Sequence, residues 1–263
     1  MIINCLKVII FLLIIFIRYS RYLLFNDKEN FNQKYSTILK TFDYNLIKKK
    51  LRIAVYTLSI SGGGRARITS LLLNYLHKIK IFKLYLFTNY CKQKNEFIIP
   101  NDTKRVLVKN NLVKNIEKYK INIFIHQLCD IREIKQLNEL QNTKVIFYLH
   151  CSIFTFIYSS INYFKKVYNE FKKSKYVINI IPYENDYLFK RWGIRSFYLD
   201  NFVTYDYDFV IPSDLSEKII LMVGRAKSKN KRFNLGIEAM KFIIKEVPDS
   251  RLNIISKSKP KKL

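Results

Sequence analysis

The sequence is poor in the residues that mark disordered or repetitive chains. Its 263 residues contain only 6 glycines and 5 prolines, whereas aromatic side chains make up 15%. Disordered and low-complexity chains show the opposite balance, so the sequence does not belong to those classes. Apolar residues account for 49% of the chain, which is enough for a packed core in one large domain or two small ones.

Cysteine is also scarce, and its spacing argues against two kinds of site. The chain has Cys5, Cys91, Cys129 and Cys151, and no two of them form a C-x-x-C pair. The sequence therefore predicts neither a structural zinc site nor a disulfide framework. Reduced, mostly structural thiols fit a catalytic portion that lies in the cytosol.

Acidic residues are few, which makes the chain strongly basic. Lys and Arg number 47 against 20 Asp and Glu, for a formal net charge of +27. This balance favours anionic partners such as phosphates, nucleic acid or an acidic membrane surface. Part of the charge reflects biased composition, because Lys, Asn, Ile, Tyr and Phe are over-used together. The basic residues are scattered and form no aromatic-basic recognition motif, so nucleic-acid binding is not predicted.

The sequence also lacks an uncharged apolar run long enough to span a membrane. Its longest apolar run lies near the N-terminus. Val8–Ile17 is apolar throughout but covers only about half of a ~30 Å hydrocarbon core as a helix. A cleaved signal peptide needs small residues after the run, and none follows. A spanning anchor over Ile2–Phe25 and a helix lying in the interface both remain open, as does a misassigned start codon.

We expect residues 1–25 to attach the chain to a membrane rather than to be cleaved. Arg18 and Arg21 follow the run, and Lys28, Lys34 and Lys40 come after them. Positive charge accumulates on the cytoplasmic side of membrane segments, so the body of the protein is predicted to be cytoplasmic.

Beyond this segment the pattern predicts an α/β fold. Residues 26–50 read as a polar connector, 51–202 as a complete Rossmann-like domain, 203–217 as a linker and 218–263 as the start of a second domain. Apolar runs alternate with helical periods, as in βαβ units with a parallel sheet. The predicted strands of the first domain are Arg52–Leu58, Leu84–Thr88, Arg105–Val108, Ile121–His126, Lys144–Leu149, Tyr176–Ile180 and Ser196–Leu199. The predicted helices are Ala66–Lys78, Asn111–Tyr119, Ile131–Gln141, Phe154–Lys172 and Glu184–Trp192.

A glycine-rich loop follows the first predicted strand. Gly62, Gly63 and Gly64 come directly before a helix, and glycine lets a backbone approach a ligand closely. The loop does not match a dinucleotide-binding fingerprint, because Arg67 occupies the place of its third glycine. A tight turn without a ligand is the structural alternative.

Two histidines end predicted strands. His150 follows Val145–Leu149, and His126 follows Ile121–Ile125. Ligands of open α/β sheets bind at the carboxyl ends of strands, so a polar residue there faces the crevice. A lone histidine is more often structural, and the residues alone leave both interpretations open. His77 lies mid-helix and is expected at the surface.

The second domain begins with a candidate anion site. An apolar strand, Ile219–Val223, leads into Gly224 and Arg225, and Lys231 precedes a helix from about Phe233. Free backbone N–H groups, the helix dipole and two cations converge there, and a guanidinium binds phosphate oxygens bidentately. The alternative is a solvated basic loop, which accounts well for Lys227 and Lys229.

These segments resemble the retaining GT-B glycosyltransferases of the family 4 (group 1) type. Val223-Gly224-Arg225, Lys231 and Leu235–Ala239 resemble the family's donor-side segment. The resemblance implies that Arg225 and Lys231 bind the diphosphate of a nucleotide-sugar beside Gly224.

The first domain carries the acceptor side of the same resemblance. The loop Gly62–Gly64 and Arg67 are similar to its acceptor-side or phosphate loop, although Ala66 replaces the usual acidic residue. The resemblance also places His150 at the reaction centre and Asn201 at the interdomain turn.

The resemblance further implies a donor, an acceptor and a mechanism. A nucleotide-sugar would give its sugar to a glycan or lipid-linked acceptor, with no metal and no other cofactor. Asp206-Tyr207-Asp208 matches a metal-binding Asp-x-Asp by chance, since it lies in the predicted linker. Glu238 and Glu246 have the spacing of the family's late carboxylates but are expected to be surface charges on the first helix of that domain.

The family's second domain extends well past the segment matched here. We therefore expect a chain truncated in its C-terminal domain. Two other classes stay open: a non-catalytic fragment or partner subunit, which would not bind nucleotide-sugars, and a nucleic-acid-binding protein, whose binding would depend steeply on salt.

Overall fold

A computed structural model describes residues 51–78, 80–108, 111–127, 131–150, 161–199, 201, 215–224 and 231–256. The chain divides into two compact units, Met1–Thr204 and Tyr205–Leu263. The apolar segment 1–25, the connector 26–50 and most of the linker lie outside the described residues, so those assignments stay predictions. No helix within the described residues is long and apolar enough to cross a membrane.

The first unit contains a seven-stranded parallel sheet, with strand order β3-β2-β1-β4-β5-β6-β7. The strands are β1 Leu51–Tyr56, β2 Phe82–Thr88, β3 Lys104–Leu107, β4 Ile123–His126, β5 Lys144–Leu149, β6 Val177–Asn179 and β7 Ser196–Tyr198. The order runs outward in both directions from the β1–β4 pair. The carboxyl ends of these two strands therefore border the crevice in which open α/β sheets bind ligands.

Helices cover both faces of this sheet. They are α1 Gly64–Lys78, α2 Leu112–Lys118, α3 Ile131–Asn138, α4 Ile161–Lys173 and α5 Glu184–Trp192. Ile53 and Val55 of β1 pack in one core cluster with Leu72 of α1, while Ala54 packs in the other with Phe171 of α4. Burial on both faces explains why the strands read as continuous apolar runs rather than alternating ones.

The predicted α/β fold class is confirmed. Each of the seven strands predicted for this unit is present, and the helices of the described residues lie where their periodicity predicts. The fourth predicted helix, Phe154–Lys172, is described as Ile161–Lys173, and residues 151–160 lie outside the description.

The second unit contains the beginning of another parallel sheet. After a 3-10 turn at Leu215–Glu217 come β8 Ile219–Val223, α6 Phe233–Glu246 and β9 Arg251–Ile255, and β8 pairs with β9 in parallel. Met222 of β8 contacts Gly236 of α6, so the helix covers one face of the strand pair. On β8, Ile219, Leu221 and Val223 stay 41%, 56% and 61% exposed.

Candidate functional site

The polar residues that follow β1, β4 and β5 gather at the carboxyl edge of the first sheet. The glycine loop follows β1, Gln127 follows β4 and His150 follows β5. Because all three strands are parallel and adjacent in the order β1-β4-β5, their ends meet at one edge. The loop leads directly into α1, whose N-terminus carries unpaired N–H groups and a positive partial charge.

The backbone of the loop requires glycine, while its surroundings are open. Gly62 and Gly63 have φ of 65° and 81°, in the left-handed region that favours glycine. A Cβ atom built at Gly62, Gly63 or Gly64 would meet no other atom within 4 Å. The glycines are therefore set by conformation and not by packing, and a ligand can reach the backbone there.

Hydrogen bonds fix the segment just before this loop. The Ser61 N–H donates to Ser59 Oγ at 2.9 Å, and the two hydroxyl oxygens lie 2.8 Å apart. Gln93 Oε1 accepts hydrogen bonds from both hydroxyls, that of Ser59 at 3.2 Å. The loop is thus fixed by its own serines and by the segment after β2, which leaves its glycines in a defined conformation.

Arg65 lies on the first turn of α1 and connects the loop to β4. Its Nη1 donates to the Gln127 carbonyl oxygen at 3.3 Å, and the residue is exposed. Arg67 matches the family pattern, whereas nothing in the sequence singled out Arg65. Arg67 is half-buried two residues further along the helix, and its role stays a prediction.

Gln127 is a buried amide with a free donor. It is 1% exposed, and its Oε1 accepts a hydrogen bond from Thr69 Oγ1 of α1 at 2.6 Å. Its Nε2 has no hydrogen-bond partner among the described residues. An unsatisfied buried donor costs about 1–3 kcal/mol, so this amide group is suited to bind an acceptor atom of a ligand. Sequence reasoning missed Gln127, although it follows a buried strand as His150 does.

His150 is held as a neutral imidazole. The pKa of His150 is lowered from 6.5 to about 4, mainly by burial and to a lesser extent by the charge of Arg65, while Asn201 opposes the shift. The Asn201 amide interacts with the ring but does not satisfy it, because neither ring nitrogen has a partner with hydrogen-bond geometry among the described residues. The ring packs on Tyr148 with centroids 4.2 Å apart. A fixed neutral ring can donate through one nitrogen and accept through the other.

His126 belongs to a different environment. It is fully buried, and its Nε2 lies 3.0 Å from Glu133 Oε2. Glu133 also accepts a hydrogen bond from the Tyr56 hydroxyl at 3.3 Å. These side chains pack with the α3–α4 side of the sheet, and His126 Nδ1 has no hydrogen-bond partner among the described residues. His77 is exposed and lies 3.0 Å from Asp102.

The second unit brings two of the predicted donor residues together. A Cβ at Gly224 would lie 3.2 Å from Cγ and Cδ of Lys231, so the lysine stem covers this glycine. Lys231 is exposed and lies just before α6. Arg225 lies outside the described residues, so its role stays a prediction. Glu238 and Glu246 are both exposed on α6.

Metal-ligand residues do not cluster in the described part of the chain. No group of three or more His, Cys, Asp or Glu side chains that could hold a metal ion occurs there. Asp206 and Asp208 lie outside the described residues. A reaction without a metal thus remains a prediction.

Comparison with known proteins finds similarity only among solved structures. No family model matches the chain, and no curated protein matches it. Sucrose-phosphate synthase from Thermosynechococcus elongatus matches with a TM-score of 0.58 and 15% identity, over 81% of this chain and 64% of that one. A second structure of that enzyme, matched over 60% of this chain and 92% of that one with a TM-score of 0.38 and 14% identity, is too distant to bear on the fold.

The first of these matches bears on the fold. At this identity the likeness concerns the fold alone, and this chain spans less than two thirds of the matched structure. The seven-stranded parallel sheet with its covering helices is a Rossmann-type α/β fold of the GT-B-like kind.

Proposed function

We propose that this protein is a nucleotide-sugar-dependent glycosyltransferase. The observation that carries the proposal is the cluster of Arg65, Gln127 and His150 beside the glycine loop, at the point where the strand order reverses. A cation, a free amide donor and a neutral imidazole at one sheet edge suit a ligand rich in hydroxyl and phosphate oxygens. The GT-B-like fold supports the same class of reaction.

The candidate residues have different roles in binding the substrates and in stabilising charge. Arg225 and Lys231 would bind the donor diphosphate and neutralise the charge that develops on it as the sugar leaves. The uncharged His150 would hydrogen-bond the transferred sugar, since a hydroxyl can be both donor and acceptor to it. The glycine loop, with Arg67, would bind the acceptor or a phosphate. No step in this scheme needs a metal.

The retaining, family 4 type of reaction is the finer part of the proposal. It rests on the resemblance of the Val223-Gly224-Arg225 segment and Lys231 to that family. The acceptor would be a glycan or a lipid-linked sugar, because the apolar run at 8–17 favours work at a membrane. Residues 1–25 would attach the protein there, with its catalytic portion on the cytoplasmic side.

Titration calorimetry of the full chain, held in mild detergent, tests donor binding. UDP, GDP and their sugars are titrated into the wild type, into Arg225→Ala and into the matched control Lys229→Ala. We expect one nucleotide class to bind, and Arg225→Ala to weaken it by about tenfold or more, because a charge-assisted phosphate contact is lost. Lys229→Ala should bind as the wild type does.

Two results would contradict the proposal. If folded wild-type protein binds none of these nucleotides, the chain acts as a non-catalytic fragment or partner subunit. If both arginine and lysine variants bind like the wild type, the donor site lies elsewhere.

A further inference from the structure

A basic groove lies between α3 and α4 of the first unit, away from the glycine loop and His150. Its volume is about 660 Å³. Among its described lining residues five are cationic: Arg132, Lys135, Lys166, Lys172 and Lys173. The proposed sugar-transfer reaction uses none of them.

The groove has a positive excess because cationic side chains outnumber acidic ones among its described lining residues. Among its described lining residues Glu170 is the only acid, and Lys173 Nζ lies 2.8 Å from Glu170 Oε1. The Glu170 side chain is 12% exposed, whereas that of Lys173 is 62% exposed. Lys135, Lys166 and Lys172 are also exposed. The ammonium groups thus reach solvent while the carboxylate is largely covered.

The two helices that carry these cations are fixed to each other. Asn138 Nδ2 donates to the Glu170 carbonyl oxygen at 2.8 Å, and Ser174 Oγ donates to Asn138 Oδ1 at 2.9 Å. Beneath the groove, Ile134 and Phe171 are completely buried in one core cluster. The two helices therefore hold the attachment points of the cations in a fixed arrangement, which lowers the cost of binding an anionic partner.

We propose that this groove is a docking surface for the anionic phospholipid headgroups of a membrane. Lysines on helices near a membrane each strengthen attachment to anionic lipid, and a modest apolar anchor needs such a second signal to bind stably. The same chain carries the short apolar run Val8–Ile17. Nucleic acid fits less well, because no aromatic side chain is among the described lining residues to stack on a base.

Vesicle flotation of the full chain tests the proposal. Neutral vesicles of phosphatidylcholine report attachment through apolar residues, and vesicles with roughly one third phosphatidylglycerol report the added contribution of negative charge. The groove variant is K135E/K166E/K172E. The control variant K78E/K94E/K190E changes the net charge equally at exposed lysines outside the groove. Circular dichroism verifies that both are folded.

We expect the wild type to bind anionic vesicles more tightly than neutral ones. In the groove variant the ratio of affinities for anionic and neutral vesicles should fall by at least about tenfold, because three favourable contacts become repulsive. The control variant should keep most of this ratio. Equal losses in both variants, or no gain on anionic vesicles in the wild type, would overturn the proposal. So would a groove variant that keeps its vesicle binding and loses binding of a single-stranded oligonucleotide, which would identify the partner as nucleic acid.

Discussion

The ionisation of His150 can be measured directly, because the chain has only 3 histidines. The perturbation is Arg65→Met, which keeps the side-chain stem and removes the charge. NMR of the histidine rings follows each pKa, and His150→Gln assigns the resonance by deleting it. In the wild type we expect His150 to titrate with a pKa of about 4, since burial and the charge of Arg65 both disfavour the imidazolium.

The size of this effect follows from the displacement of the pKa. A shift from 6.5 to about 4 favours the neutral ring by about 3 kcal/mol relative to an unperturbed histidine. At neutral pH, about three units above this pKa, roughly one molecule in a thousand is protonated. Between pH 4 and pH 6.5, the histidine binds a proton in the unfolded chain but not in the folded protein. The free energy of unfolding should therefore fall as the pH is lowered through this window, by up to about 3 kcal/mol more than in His150→Gln.

Arg65→Met should raise the pKa of His150 only part of the way to 6.5. Burial is the larger cause of the depression and remains in the variant. Because Arg65 is exposed, added salt should raise the wild-type pKa in the same direction. Arg67→Met is the matched control and should leave the titration unchanged. A wild-type pKa between about 6 and 7, or equal effects of the two arginine variants, would refute this account of the crevice.

Three stability measurements test other parts of the first unit. Gly63→Ala should lower the free energy of unfolding by about 1–2 kcal/mol, because its φ is positive. Gly64→Ala should leave the stability unchanged or raise it. Equal melting temperatures of the two variants would contradict this conformational argument. Glu133→Ala leaves His126 buried without its carboxylate and should cost about 1–3 kcal/mol while nucleotide binding stays unchanged. Asn138→Ala breaks the hydrogen bonds between α3 and α4 and should cost about 1–2 kcal/mol in denaturant unfolding.

The sequence was sufficient to predict the first sheet because its strands are buried on both faces. Segments such as Ile53–Tyr56 and Phe147–Leu149 are apolar at consecutive positions and are separated by helical periods. That pattern is typical of a parallel sheet with helices on either side. The position of His150 at a strand end followed from the same rule.

The side-chain contacts of the site could not be predicted in this way. Arg65 and Arg67 are two residues apart on one helix, so they point in different directions around its axis. Family resemblance singled out Arg67, and only the folded structure shows that Arg65 hydrogen-bonds Gln127, the residue that follows β4. Gln127 Nε2 is unpaired because Thr69 hydrogen-bonds the other polar atom of the amide, Oε1. This is a tertiary contact, which the sequence pattern does not predict.

The open face of β8 has a practical consequence for handling the protein. Ile219–Val223 is uncharged, free of proline and rich in residues that favour strands, and four of its five side chains are exposed. Segments of this kind pair with copies of themselves and seed aggregates as protein concentration rises. A single lysine at the centre of the run, Leu221→Lys, would act as a gatekeeper charge and should raise the concentration at which the purified chain precipitates.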